Sequence, residues 1–161
     1  MKFETLMEID LKKLKNNTKL LCKSYSDYQY KIASLKDNAY GMGFRIVNTL
    51  VDNGINYILV GPIKDALEIR KYNNEVPILV TYNVTEEEVY DAINNNITLT
   101  IADAEYLRSI ICLNIKDDLK LQILIDNGSN KMGIKNNLDL KEVIKTVSYT
   151  HLRAHETLRH L

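Results

Sequence analysis

The sequence predicts an α/β fold with a parallel sheet, and three observations carry that prediction. Short apolar, β-branched runs recur at residues 31–35, 57–60, 76–80, 97–101 and 119–125; amphipathic stretches of helical period separate them; and the links between are short. Strict alternation of strand and helix builds βα units, and consecutive βα units place their strands parallel.

The helical stretches are legible one by one. Leu11, Leu14, Leu20 and Leu21 mark a first helix over about residues 10–24, and Val47, Leu50 and Val51 mark a second, which Asn53-Gly54 ends. Ile63, Ala66, Leu67 and Arg70 mark a third. The fourth opens at Thr85-Glu-Glu-Glu88, a capping box in which hydroxyl and carboxylate each satisfy an orphan backbone amide. Ala104, Leu107, Ile110 and Ile111 mark a fifth, and Asp139-Leu-Lys-Glu142 reads as another capping box.

Two closures of such a sheet compete, the doubly wound open sheet and the (β/α)₈ barrel. In the first βα link Gly41-Met-Gly43 is followed by Phe44-Arg45-Ile46, so the third glycine of a dinucleotide fingerprint is missing. Gly61-Pro62 stands where that fold would place an acidic residue for ribose. The barrel is favoured. A complete one needs about 250 residues, so five strands make an incomplete (β/α)₈ TIM-type barrel.

Composition narrows the function. Hydrophobic residues make up 45% of the 161, enough for a buried core, and the formal net charge is zero. No basic excess argues for nucleic acid or an anionic membrane as partner. The many lysines before residue 80 alternate with Asp and Glu, as on solvated helix faces. Acids interrupt the start where a signal peptide would be apolar, and no run reaches the roughly 18 apolar residues of a membrane span. Cys22 and Cys112, each alone on an apolar helical face, are expected to be small core residues. The expectation is a soluble, cytoplasmic protein.

The last fifteen residues differ in kind. All three histidines (His151, His155 and His160) and two of the five arginines fall there, with no Asn, Lys or Ile. Residues 147–157 also resemble the translation of a common sequencing adaptor. His151 and His155 stand at helical i, i+4 spacing, but Leu152 occupies the place where a zinc protease motif needs Glu. We therefore expect residues 1–146 to be a truncated barrel domain, residues 147–161 to be a non-native tail, and no metal site.

In a parallel barrel the site forms at the carboxyl ends of the strands. Lys36 ends the first run, where an amine partly out of water can be neutral and nucleophilic toward an aldehyde cofactor or a carbonyl substrate. A snorkelling surface lysine fits that position equally well. Asp126, Gly128 and Asn130 are spaced as in a calcium loop, but Lys131 replaces the required glycine and Asn137 the closing glutamate, which excludes that reading. A plain polar loop remains open there.

Ser34-Leu-Lys-Asp-Asn-Ala-Tyr-Gly-Met-Gly43 resembles the cofactor-lysine motif of the alanine racemase family, whose usual form is apolar-x-Lys-Ala-Asn/Asp-Ala-Tyr-Gly-His-Gly. Lys36, Asn38, Ala39, Tyr40, Gly41 and Gly43 match; Asp37 replaces the small residue and Met42 the histidine. Glu8-Ile-Asp-Leu-Lys-Lys-Leu-Lys-Asn16 is similar to the family's entry into its first helix. Glu68-Ile-Arg-Lys71 through Val76-Pro-Ile-Leu-Val80 is similar to its second helix and third strand. Leu124-Ile-Asp-Asn-Gly-Ser-Asn-Lys-Met-Gly133 resembles its Asp-Thr-Gly-Met-x-Arg-x-Gly segment. The resemblance covers about residues 4–146.

It implies a PLP-dependent isomerase, an amino-acid racemase acting on alanine and supplying D-alanine to a cell wall. Lys36 would carry pyridoxal 5'-phosphate as a Schiff base and act as acid and base on one face of the substrate. Tyr40 would hydrogen-bond the cofactor phosphate, and Gly41 and Gly43 would let the backbone turn close by. Lys131 would contact substrate where the family has an arginine, and Leu124 stands where many members carry a carbamylated lysine; together these imply a reorganised subsite. The opposite-face tyrosine would come from the partner of a homodimer, outside this chain. The chain as given is expected to be inactive and poorly soluble, because an unclosed barrel exposes strand edges and an apolar face. Two alternatives stay open: a non-catalytic barrel of the PLP homeostasis type, and a barrel enzyme using Lys36 as a Schiff-base lysine without PLP.

Overall fold

The structure is a computed structural model that describes residues 7–148 and the backbone of residues 153 and 154. Its strands follow one another in chain order within one sheet, and the described pairings are parallel. The chain divides into two compact units, residues 1–78 and 79–161.

The first unit opens with α1 (Leu11–Ser24), capped by Asp10, whose carboxylate accepts from the amides of Lys12 (2.9 Å) and Lys13 (3.1 Å). Its inward line is Leu14, Thr18 and Cys22, spaced one turn apart, with Thr18 the buried member. This corrects the leucine stripe expected from the sequence: Leu11, Leu20 and Leu21 are each at least half exposed. Leu20 lies about 200° around the helix from Thr18, on the far side. The Thr18 hydroxyl is satisfied by donating to the Leu14 carbonyl (2.8 Å).

β1 (Ile32–Ser34) pairs with β2 (Tyr57–Val60) in the register Ala33 to Ile58. Between them lie the one-turn element α2 (Lys36–Tyr40), a 3₁₀ turn (Phe44–Ile46) and α3 (Val47–Val51). α4 (Ile63–Arg70) buries Ile63, Ala66 and Ile69 at i, i+3 and i+6. At its end the buried Arg70 guanidinium donates to the carbonyls of Asn73 (3.2 Å) and Val76 (2.9 Å), tying down the turn that leads to β3 (Ile78–Val80).

In the second unit every residue of β4 (Ile97–Ile101) is buried. That is the pattern of a central parallel strand covered on both faces, and the Thr100 hydroxyl there donates to the Val80 carbonyl at 2.7 Å. β5 (Lys120–Ile123) continues the sheet, and Arg153–Ala154, the short β6, pairs with Lys120 and Leu121. α5 (Glu86–Asn94) carries the predicted capping box, with Thr85 and Glu88 bonded reciprocally. α6 (Ala104–Cys112) is capped by Asp103.

Two further expectations are corrected. α7 (Asn137–Ser148) begins two residues before Asp139, because the Asn136 side chain accepts from the amides of Leu138 (3.0 Å) and Asp139 (2.9 Å) and is itself the cap. Cys112 is exposed at the end of α6 and is no core residue, while Cys22 is half-buried. The expected foreign tail falls almost wholly outside the described residues. Among the described residues no group of His, Cys, Asp and Glu could hold a metal ion, and no helix is long and apolar enough to cross a membrane.

Candidate active site

The peptide that follows β1 has unusual geometry. Asp37, Asn38 and Ala39 all sit near φ 52–55° and ψ 46–52°, and Tyr40 has φ 54°. Four consecutive non-glycine residues thus form a left-handed turn. Each left-handed L-residue costs roughly 1–2 kcal/mol, which is why such residues normally occur singly and why runs of them mark functional sites.

What holds the turn can be read from its neighbours. Leu35 is buried, and its amide extends the β1 ladder by donating to the Leu59 carbonyl (2.8 Å). Ala39, one turn later, is fully buried, and its amide donates to the Leu35 carbonyl (3.2 Å). Leu35 and Ala39 therefore form the inner face. Gly41 (φ 85°) accepts the next left-handed step, and the Gly43 amide closes on the Asn38 carbonyl at 2.9 Å. A Cβ on Gly43 would meet nothing within 4 Å, so this glycine serves its φ of 83° and not a close approach. Aspartate and asparagine tolerate this region better than other side chains; alanine and tyrosine do not, and here tertiary packing imposes it.

Lys36 and Tyr40 each follow one of these inner positions in the chain. Lys36 is half-buried, and Tyr40 is 66% exposed. Lys36 lies two residues past Ser34, the last residue of β1, and so belongs to the turn and not to the strand end where the sequence put it. In the first turn of α4 burial raises the Asp65 carboxyl above its usual range, Lys64 partly offsets this, and the Asp37 charge pushes it further up.

The amine of Lys36 and the phenol of Tyr40, four residues apart around this turn, suit a cofactor with an aldehyde and a phosphate. A half-buried primary amine can condense with an aldehyde, and an exposed phenol can donate to a phosphate oxygen. The residues present fit pyridoxal phosphate on that ground.

Lys131 belongs to the second unit, in the loop between β5 and α7, and its side chain is exposed. The loop is built around Asp126. One carboxylate oxygen accepts from the amides of Gly128 (3.0 Å) and Asn130 (3.0 Å) and from the Ser129 hydroxyl (3.2 Å). Partial desolvation works to raise this carboxyl, but those three donors and the Lys135 charge outweigh it and hold the carboxyl below its usual range. The loop returns where the Asp126 amide donates to Ile134 (3.1 Å) and the Ile134 amide donates to Leu124 (2.9 Å). That return needs Gly133: a Cβ there would stand 2.7 Å from the Asp126 nitrogen. Leu124 is half-buried at the root of the loop.

Sequence reasoning missed two features of these sites. The left-handed run had a partial signal in Asp37-Asn38 before Gly41. The bond from the Val84 amide to the Tyr106 hydroxyl (3.0 Å) had none, because it joins residues 22 apart.

The chain is similar to known proteins in sequence and in fold. Residues 9–161 match the family model described as alanine racemase, N-terminal domain. The alanine racemase of Methanococcus maripaludis is 34% identical over 143 residues, covering 87% of this chain and 38% of that protein. Alanine racemase 1 of Bacillus subtilis is 30% identical over 142 residues, covering 88% and 36%. The crystal structure of the Bacillus anthracis alanine racemase with bound L-Ala-P superposes with TM-score 0.84 at 24% identity, over 91% of this chain and 39% of that one. A histidine racemase from Leuconostoc mesenteroides superposes with TM-score 0.79 at 23% identity, over 88% and 39%. The chain thus spans little more than a third of the length of these relatives.

Proposed function

Because this chain belongs to the alanine racemase N-terminal domain family, we propose that it is the cofactor-holding part of a pyridoxal-phosphate racemase that interconverts L- and D-alanine. The observation that supports the reading is the left-handed turn of residues 37–40, a strained backbone that directly follows Lys36 and includes Tyr40.

Pyridoxal phosphate, when bound, supplies an electron sink that makes the α-proton of an amino acid removable. The Lys36 amine would hold the cofactor by its aldehyde, and its Nζ would take or return a proton on one face of the α-carbon. The Tyr40 hydroxyl would donate to the cofactor phosphate. Lys131 offers a positive charge to the substrate carboxylate, as a point charge without the planar fork of an arginine. Racemisation needs a second base on the opposite face, which in this reading comes from the partner subunit of a homodimer and lies outside this chain. On this account the 161 residues alone do not turn over. We further propose that residues 1–146 are native sequence forming part of the barrel domain and that residues 147–161 are a non-native tail, on the composition break at residue 147; genomic DNA past codon 146 tests that boundary.

The deciding experiment uses the full-length protein. It should be yellow with bound pyridoxal phosphate, lose that absorbance in Lys36→Ala, and form D-alanine from L-alanine. A yellow protein without D-alanine would mean a cofactor carrier that does not racemise alanine, and a colourless one would end the reading.

A further inference from the structure

We propose that Asn127 is a site of spontaneous deamidation, and that the Asp126 side chain restrains the reaction by holding the backbone nitrogen that would attack.

The sequence contains two Asn-Gly pairs, Asn53-Gly54 and Asn127-Gly128. Such pairs are open to this reaction because glycine has no side chain to shield its nitrogen or restrict its backbone. The chemistry needs only water. The glycine nitrogen gives up its proton to solvent and attacks Cγ of the asparagine. The new C–N bond closes a succinimide ring, the bond from Cγ to Nδ2 breaks, and Nδ2 takes up a proton and leaves as ammonia. Water then opens the ring at either carbonyl, giving aspartate or isoaspartate. Nothing is oxidised or reduced.

The fold treats the two pairs differently. In the first unit Asn53 is half-buried, and its Nδ2 donates to the Thr49 carbonyl at 2.6 Å. The Gly54 amide donates to the Val51 carbonyl at 3.2 Å, and Gly54 lies so close to Cys22 that a Cβ on it would stand 2.9 Å from the sulfur. Side chain and nitrogen have no room to meet. In the second unit Asn127 and Gly128 are both exposed, and a Cβ on Gly128 would meet nothing within 4 Å. Here the restraint is the bond from the Gly128 amide to Asp126 Oδ1 at 3.0 Å. A carboxylate in that place stabilises the N–H and repels the nitrogen anion that must form. Partial desolvation works to raise the Asp126 carboxyl, but the bonds from Asn130, Gly128 and Ser129 and the Lys135 charge hold it below its usual range, so it is ionised at neutral pH. The brake is exposed and local, and each opening of the loop releases it.

The product remodels the loop. It adds a negative charge shortly before Lys131, and isoaspartate inserts an extra carbon into the backbone between Asp126 and Gly128. The amides of Gly128 and Asn130 then no longer reach the Asp126 carboxylate together.

The test ages the full-length protein at neutral pH and reads conversion at each Asn-Gly pair by mass after digestion, with isoaspartate confirmed by enzymatic methylation. Each folded rate is divided by the rate of the same site in urea, which removes the intrinsic effect of neighbouring residues. On that scale Asn127 should convert about tenfold faster than Asn53, and Asp126→Ala should speed Asn127 by about another tenfold while leaving Asn53 unchanged. Equal ratios at the two sites, or a faster Asn53, overturn the assignment of the site. An unchanged Asn127 ratio in Asp126→Ala overturns the restraint. If Asp126→Ala fails to fold, Asp126→Asn keeps the shape without the charge and should speed Asn127 about threefold; no change there overturns the restraint as well.

Discussion

Gly54 lies so close under Cys22 that a Cβ on it would stand 2.9 Å from both the Cβ and the Sγ of that cysteine. The turn after α3 and the last turns of α1 therefore share one space, and Gly54 also has φ 114°, open to glycine alone without strain. Gly54→Ala should cost about 2–3 kcal/mol in urea unfolding. Adding Cys22→Ala should recover only part of that, since it removes the sulfur but neither the Cβ contact nor the φ. A stability equal to wild type for Gly54→Ala would refute this packing.

The left-handed turn makes a prediction of opposite sign at Asp37, whose side chain is exposed and whose φ is 52°. Asp37→Gly should raise stability by about 0.5 kcal/mol, by relieving both the backbone strain and the repulsion with Asp65. Asp37→Val should lower it by about 1–2 kcal/mol. Carboxyl titration by NMR gives an independent check: the Asp65 pKa should fall in Asp37→Asn, because one of the causes holding it up is gone.

Acid should loosen the Asp126 loop. The carboxyl of Asp126 is held below its ordinary value of 3.8 in the folded chain, so its contribution is fully present above that value and is lost as pH falls through the lower folded pKa. The amide resonances of Gly128 and Asn130 should shift together over that acid range, and Asp126→Asn should abolish the shift. Resonances that stay put below 3.8 would contradict the three bonds to Asp126.

Gly133→Ala should break the return of the same loop, with a Cβ 2.7 Å from the Asp126 nitrogen and 2.9 Å from the Ile125 carbonyl carbon. A loss of about 3 kcal/mol is expected, read as a lower midpoint in thermal unfolding. The bridge between Ile125 and Ile134 should lose its amide protection first.

Lys131 separates a substrate contact from a plain polar loop. In the full-length protein Lys131→Ala should lower kcat/KM for alanine by roughly ten- to a hundredfold, and Lys131→Arg should retain most of it. Equal activity in all three would return the segment to the status of a surface loop.

Lys36 and Tyr40 stood out through the resemblance of residues 34–43 to a family motif, whereas periodicity and local chemistry alone determined the order of strands and helices, the parallel sheet and the cap at Thr85. These depend on contacts within a few residues, or on which side chains dislike water, and both are written along the chain. Only the tertiary structure decided which leucines of α1 face inward and that residues 37–40 turn left-handed. The physical reason is common to these cases. Local preferences of about 1 kcal/mol yield to the burial of Leu35 and Ala39 against β2, or to a close approach such as that of Gly54 to Cys22, and those partners lie too far along the chain for any local pattern to reveal them.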